Sequence, residues 1–425
     1  MVRARSRVRS PVLALKKVLI LGAGFGGLYV ARHLGHLMAH ESAEITIIDR
    51  RNHFLFTPLL HEVAAATIDE SQPVEPIPGF INQCRIKWQI GEVAELNANT
   101  REVKLQDGRT FPYDLLVVAL GSTTNFHNVI GAKQFSYPLK EVAEASAIRR
   151  QIIGRLEAAQ SAGNPATRKR LLSFVIVGGG PTGVELAGEI SDLMRDSRRY
   201  FGRGFSAVEV SLTLIHNAST LLNQFKSPPM SRFAELALRE KGWQVLLNET
   251  VVEVTAQGVR LVSGRQLESE TVIWLAGVTP VPLTTLPPFA KDSTGRTLVN
   301  EFLQVKGTPD IFALGDWAVG EGASGAWPML AQAAVASAKV VAHNVVNRLH
   351  GRPLRPFRFR SKGVLVSIGR WHAVGEIFGV AVRGRLVWLL WHLVYWTKFL
   401  SWPKRFKLLV DWFLNVFRAR DLSTF

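Results

Sequence analysis

The chain has 425 residues, 47% of them hydrophobic, which allows two or three domains with large cores. Its one cysteine, Cys84, excludes a disulfide scaffold and any dithiol redox pair within the chain. The net charge of +17 belongs to the ends: residues 1–17 hold six basic and no acidic groups, residues 352–425 hold fourteen and three, and residues 18–351 balance at 31 of each, as in an ordinary enzyme body.

The N-terminal arm alternates arginine (Arg3, Arg5, Arg7, Arg9) with small or apolar residues and is expected to be a disordered, solvated arm, with contact to anionic lipid as the alternative, and not a secretory signal. An apolar strand, Val18 to Leu21, then meets Gly22, Gly24 and Gly27 in G-x-G-x-x-G spacing and runs into residues of helical period. Gly22 makes the turn, Gly24 lets backbone approach a pyrophosphate, and Gly27 lets helix and strand pack closely. A second strand, Ile45 to Ile48, ends at Asp49, 22 residues past Gly27, where a carboxylate can bind a ribose diol. The plainer alternative is a glycine turn in some other α/β protein. The aromatic run Arg50 to Ala66, with His53, Phe56 and Pro58, reads equally as a wrap for a flat ring or as core. Strands follow to about Tyr113. Leu115 to Leu120 is a buried strand ending at Gly121, Ser122 and Asn125, where backbone can again approach a ligand.

A helix over Glu141 to Glu157 leads to Leu171 to Ile190, which repeats the first architecture with Gly178, Gly180 and Gly183. Two such units imply two adenine dinucleotides on one chain, as a flavoenzyme reduced by a nicotinamide nucleotide requires. The next strand, Val208 to Ile215, ends at His216 where a ribose acid is expected; a neutral histidine binds a diol more weakly and rejects a 2′-phosphate less well. Thr271 to Pro280 is another buried strand with a turn at Gly277, and Gly307 to Ala318 delivers Gly315 and Asp316. The alanine-rich helix Met329 to Leu349 either points its first turn, with Gln332, at a flavin, or is a packing helix.

From Arg352 the character changes, and six of the eleven tryptophans lie beyond it. Leu386 to Leu400 is apolar nearly all round but shorter than the about 20 residues a spanning helix needs. Ser401, Trp402 and Pro403 are expected to break it. Lys404 to Arg418 is amphipathic: Phe406, Leu409, Phe413 and Val416 share one face, while Lys404, Lys407, Asp411 and Arg418 are polar. This describes a helix lying in a membrane interface, with a dimer contact or a calmodulin-like target as alternatives.

These motifs, with GAGFGG at 22–27, DRRNHFLFTPLL from Asp49, GGGPTGVELAGE from Gly178, IWLAGV from Ile273, ALGDWA from Ala313 and IGR at Ile368 to Arg370, resemble the type II NADH:quinone oxidoreductases over about residues 16–418. The resemblance implies an α/β fold of two Rossmann-like dinucleotide-binding domains, glutathione-reductase-like, the second inserted in the first, with a C-terminal amphipathic anchoring segment. The implied division is a basic arm (1–16), an FAD-binding domain in two parts (17–140 and 271–351), an NAD(P)H-binding domain (141–270) and a membrane-association region (352–425). FAD is expected at Gly22, Gly24, Phe25, Gly26, Gly27, Asp49, Arg50, Gly121, Asp316, Ala331 and Gln332. NADH is expected at Gly178, Gly180, Pro181, Thr182, Gly183, Glu185, His216 and Gly277, with NADPH left open. Glu185 steers charge near the nicotinamide and Gln332 meets the quinone. No metal is implied.

The expected partners are a membrane quinone and an anionic lipid surface, with a homodimer left open and no nucleic acid. The expected place is the cytoplasmic face of the inner or plasma membrane. The chain departs from the family pattern in two places: at His216, where an acid is usual, and at Ala336 and Ser337, where a glutamine is usual. Three rivals are a sulfide:quinone oxidoreductase, for which Cys84 lacks a partner, a ferredoxin or rubredoxin reductase, which has no use for the Trp-rich tail, and a DNA-binding flavoprotein with basic ends.

Overall fold

The computed structural model describes residues 15–39, 43–81, 86–201, 209–225, 227–321, 327–399 and 401–423. Cys84 and most of the basic arm lie outside them. The chain folds as two compact units: Met1–Asn52, Pro76–Gly121 and Pro280–Phe359 form one, and His53–Glu75, Ser122–Thr279 and Arg360–Phe425 the other.

The first unit is built on a five-stranded parallel sheet in the order Ile311–Ala313, Leu115–Val118, Lys16–Leu21, Ala43–Asp49, Lys87–Ile90. Its central strands are continuous apolar runs because both faces are covered; Ile20, Leu21, Ile47 and Val117 are fully buried. The helix Gly27–Leu37 packs against Ala331–Leu349 on this sheet. A crossover between parallel strands needs a helix, and the first strand lies in the middle of the order, so its C-terminal end opens at the point where strand order reverses. The first glycine loop sits there.

The second unit repeats the plan with a four-stranded parallel sheet: Trp243–Leu246, Ser211–Ile215, Ser173–Val177, Thr271–Trp274. The helix Pro181–Phe201 follows its central strand at the second glycine loop, with proline at the first helical position, where a missing N–H costs no bond. The helix expected over Glu141 to Glu157 runs Val142–Ser161, and Glu141 caps it in a reciprocal box with Glu144.

The C-terminal segment belongs to this second unit. A three-stranded antiparallel meander, Val364–Ser367, Ala373–Ile377 and Val380–Arg383, leads to helices Arg385–Lys398 and Trp402–Phe417. The helix breaks where expected, after Lys398: Ser401 precedes the last helix, and Trp402 and Pro403 form its first turn, whose N–H groups have no intrahelical partner, so proline fits there. That helix sits apolar side out. Phe406, Phe413 and Phe417 are 71%, 65% and 69% exposed, while Leu408 and Trp412 are buried. Part of its polar set turns inward instead: Asp411 accepts from Gln72, Lys404 donates to the Ser71 carbonyl and Asn415 to that of Thr67.

Candidate functional site

In the first unit the three glycines are demanded by different things. A Cβ on Gly22, whose φ is +93°, would lie 2.5 Å from the Ala119 carbonyl oxygen, and one on Gly27 would lie 1.8 Å from that of Gly22. Both clash with backbone. A Cβ on Gly24 would meet no protein atom within 4 Å, so packing does not require glycine there, whereas close approach of a pyrophosphate does. Asp49 is held at the end of its strand by the backbone N–H groups of Ala23 (2.6 Å) and Arg51 (2.8 Å), so its carboxylate is set in place with lone pairs to spare for a diol. Gly121 and Gly315 take left-handed backbone (φ +71° and +69°) at the ends of neighbouring strands, and Gly315 turns the chain into Asp316. Phe25 is half-buried, Gly26 buried, and Arg50 exposed. Ala331 and Gln332 form the first turn of their helix, Ala336 is exposed one turn on, and Ser337 is buried and donates to the carbonyls of Ala333 and Ala334. These residues fit an adenine dinucleotide.

The second unit has the same cradle. A Cβ on Gly178 (φ +121°) would lie 2.2 Å from the Leu275 carbonyl oxygen and one on Gly183 1.9 Å from that of Gly178, while Gly180 has nothing nearer than 3.7 Å. Pro181 and Thr182 start the helix, Thr182 exposed. Gly277 (φ +136°) accepts the Asn125 N–H. His216 stands at the end of its strand, and its Nδ1 accepts the Gly179 N–H at 3.2 Å. Burial holds its pKa below the ordinary value, so the ring is neutral with its proton on Nε2, where the usual acid would offer only acceptors.

Glu185 lies inside the second unit. It is buried; its Oε1 accepts from the Trp391 indole N–H (3.3 Å) and the Ser367 N–H (3.4 Å), and its Oε2 is 3.8 Å from His61 Nδ1. Burial lifts its pKa to about 8, so it is a neutral acid at neutral pH. Because the folded value lies above the unfolded one, the stability it contributes is complete below the unfolded pKa and is lost as pH rises through about 8. Glu185→Gln, which cannot ionise, is expected to lose less thermal stability than the parent between about pH 5 and 8.5. Melting curves across that range check it; parallel curves would contradict it.

Around Glu185 stands a cluster that motif reading passes over. Glu189, Asp192 and Asp196 follow it at four, seven and eleven residues, one face of the helix, and all are buried. Arg420, near the C-terminus, donates to Glu189 (2.7 Å) and lies 3.9 Å from Asp192 and 3.8 Å from Asp196. Glu62 accepts from the Trp412 indole N–H at 2.9 Å. The acid spacing was the available signal, since such a stripe on a helix flanking a sheet must be either solvated or paired.

A family model described as pyridine nucleotide-disulphide oxidoreductase matches residues 16–338, and one described as NDH2 C-terminal domain matches residues 361–421. A type II NADH:quinone oxidoreductase of Mycobacterium tuberculosis, NdhA, is 30% identical over 95% of this chain and 88% of its own. The chain belongs to the type II NADH:quinone oxidoreductases. A relative named probable NADH dehydrogenase, from Dictyostelium discoideum, is 30% identical over 99% of this chain and 94% of its own. The solved structure of NDH2 from Plasmodium falciparum in complex with NADH superimposes with a TM-score of 0.88 at 22% identity, covering 96% of this chain and 99% of that one. The two-unit α/β fold of a type II oxidoreductase is therefore shared along nearly the whole chain.

Proposed function

We propose that this chain oxidises NADH and reduces a quinone. The observation that carries the reading is the second glycine cradle: one chain with two dinucleotide sites has a place for a nicotinamide donor and for a flavin. FAD, when bound, would supply the redox chemistry, accepting a hydride from NADH and donating two electrons to the quinone. The first unit's Gly22–Gly27 loop, Asp49, Gly121, Asp316 and the helix start at Ala331–Gln332 bind and orient FAD. The loop Gly178–Gly183, His216 and Gly277 bind the nicotinamide nucleotide. Glu185 supplies a neutral acid near it, and Gln332 a hydrogen bond to a quinone carbonyl. A carboxylate repels a 2′-phosphate and neutral His216 does not, so NADPH is the nucleotide to run beside NADH. In this reading no charge crosses the membrane. Turnover of NADH with a short-chain quinone by the flavin-loaded protein tests the assignment; flavin-loaded protein that oxidises no NADH with any of several quinones would sink it.

The tail is read as a monotopic anchor on the cytoplasmic face of the inner or plasma membrane. Among the described residues no helix is long and apolar enough to cross a membrane. What supports an interfacial seat is the outward row Leu386, Leu393, Phe406, Leu409, Phe413 and Phe417, all exposed, bordered by Arg405 over the rings of Trp396 (5.7 Å) and Trp402 (5.1 Å). Phe406→Glu with Phe413→Glu is expected to release the protein from phosphatidylglycerol-containing vesicles in a flotation assay, with flavin retained. Undiminished flotation, or conversion of a dimer to a monomer with flotation intact, would assign the row to a subunit contact.

A further inference from the structure

Beside the second glycine cradle lies a loop that the functional reading leaves without a task. After the strand Ser211–Ile215 the chain runs from His216 to Phe225 and folds back on Gly178–Gly183. Both backbone groups of Gly179 hold it there: the N–H donates to His216 Nδ1 at 3.2 Å, and the carbonyl accepts the Leu222 N–H at 2.9 Å. A Cβ on Gly179 would lie 2.5 Å from Leu221 Cδ2, so that leucine side chain sits directly on the glycine. From the end of the next strand, the Asn248 N–H holds the Ala218 carbonyl at 3.1 Å.

The turn in this loop is strained. Leu222 has φ +54°, in the left-handed region that leucine rarely adopts, and burial of Leu221 and Leu222 keeps the backbone there. The chain then enters the short turn Asn223–Phe225, closed by the Phe225 N–H on the Leu222 carbonyl at 3.1 Å, and brings Gln224 to the cradle. Gln224 Nε2 is the nearest atom to the point that a Cβ on Gly180 would occupy, at 3.7 Å. Its side chain is exposed, and among the described residues no group hydrogen-bonds its amide. The space at Gly180 is where a dinucleotide pyrophosphate comes closest to backbone. A donor at that range needs only a small side-chain torsion to reach a phosphate oxygen, and an amide N–H on an anionic oxygen is a charge-assisted bond.

The geometry points to Gln224 as a further binding residue for the nicotinamide nucleotide, its side-chain amide closing on the pyrophosphate that the second cradle receives. The assignment rests on the functional reading above. The helix that begins at Pro181 turns its N-terminus to the same phosphates, and Gln224 adds a neutral donor from the opposite element. What it recognises is phosphate. A reduced nicotinamide without a pyrophosphate gains nothing from it, so Gln224 selects dinucleotides within the class of reduced nicotinamide donors.

The test uses the full-length flavin-loaded protein and the variants Gln224→Ala, Gln224→Glu and Gln224→Lys. Equilibrium titration with ADP-ribose, which carries the pyrophosphate and transfers no hydride, is expected to give a Kd raised roughly tenfold by Gln224→Ala, further by Gln224→Glu, and at or below the parent value in Gln224→Lys. In stopped-flow bleaching of the flavin, the loss is expected in the half-saturating NADH concentration and not in the limiting rate. The ratio of bleaching efficiency with NADH to that with reduced nicotinamide riboside, a donor without phosphate, is expected to fall by the same factor as ADP-ribose affinity. A loop merely displaced by the substitution would slow both donors together and leave that ratio at the parent value. An unchanged ratio, or a parent-like Kd in both Gln224→Ala and Gln224→Glu, overturns the assignment. A parent protein that binds no ADP-ribose and is not bleached by NADH overturns instead the functional reading.

Discussion

Alanine at Gly27 yields a chain that does not retain flavin, and alanine at Gly183 yields one that keeps flavin but is not bleached by NADH. In each case the added Cβ would sit within 2 Å of a backbone carbonyl oxygen, 1.8 Å and 1.9 Å respectively, and backbone on both sides must move to admit it. The movement splays the helix from the strand just where the dinucleotide phosphates meet the helix N-terminus, so the loss falls on binding. Gly24→Ala separates ligand from protein causes. Its Cβ touches no protein atom within 4 Å, so the fold is expected to keep its thermal stability while flavin affinity falls. Flavin absorbance per chain, beside a melting curve, reads all three variants. Full flavin occupancy in Gly27→Ala would contradict the assignment of this loop.

Removal of the Arg420 guanidinium carries the second large effect. It is 2% exposed, it bonds to Glu189 and to the carbonyls of Glu189 and Ala65, and it lies within 4 Å of Asp192 and Asp196. Arg420→Ala strands Glu189 in a low-dielectric interior beside two carboxylates, and breaking one side of a buried ion pair costs about 3–5 kcal/mol. Unfolding by denaturant at neutral pH is expected to show a loss of that order. Glu189→Gln added to Arg420→Ala is expected to recover part of it, because the stranded charge is then gone. A single-variant loss under about 1 kcal/mol would mean that water, not Arg420, satisfies these acids.

What was legible in the sequence was what is local. Gly22, Gly24, Gly27 and their repeat at Gly178, Gly180, Gly183 each lie within a few residues of the strand and helix they join, so spacing alone announces the two sheets and their open ends. The absence of an acid at His216 was equally visible, though not the Gly179 bond that sets its tautomer. The last helix shows the limit. Its amphipathic period could be read, but which face meets the protein depends on Gln72, Ser71 and Thr67, more than 300 residues away, which take up its Asp411, Lys404 and Asn415. The acid cluster was out of reach for the same reason: Glu62 and Trp412 are separated by 350 residues, and only the fold puts Arg420 beside Glu189.

The measurement closest to the central claim is anaerobic. Purified protein with its bound flavin spectrum receives one equivalent of NADH, with NADPH in a parallel sample, and then a short-chain quinone. The account predicts bleaching by NADH followed by full recovery of the oxidised spectrum on adding quinone. Bleaching with no recovery would contradict it, leaving a nicotinamide-dependent flavoprotein whose acceptor is another molecule.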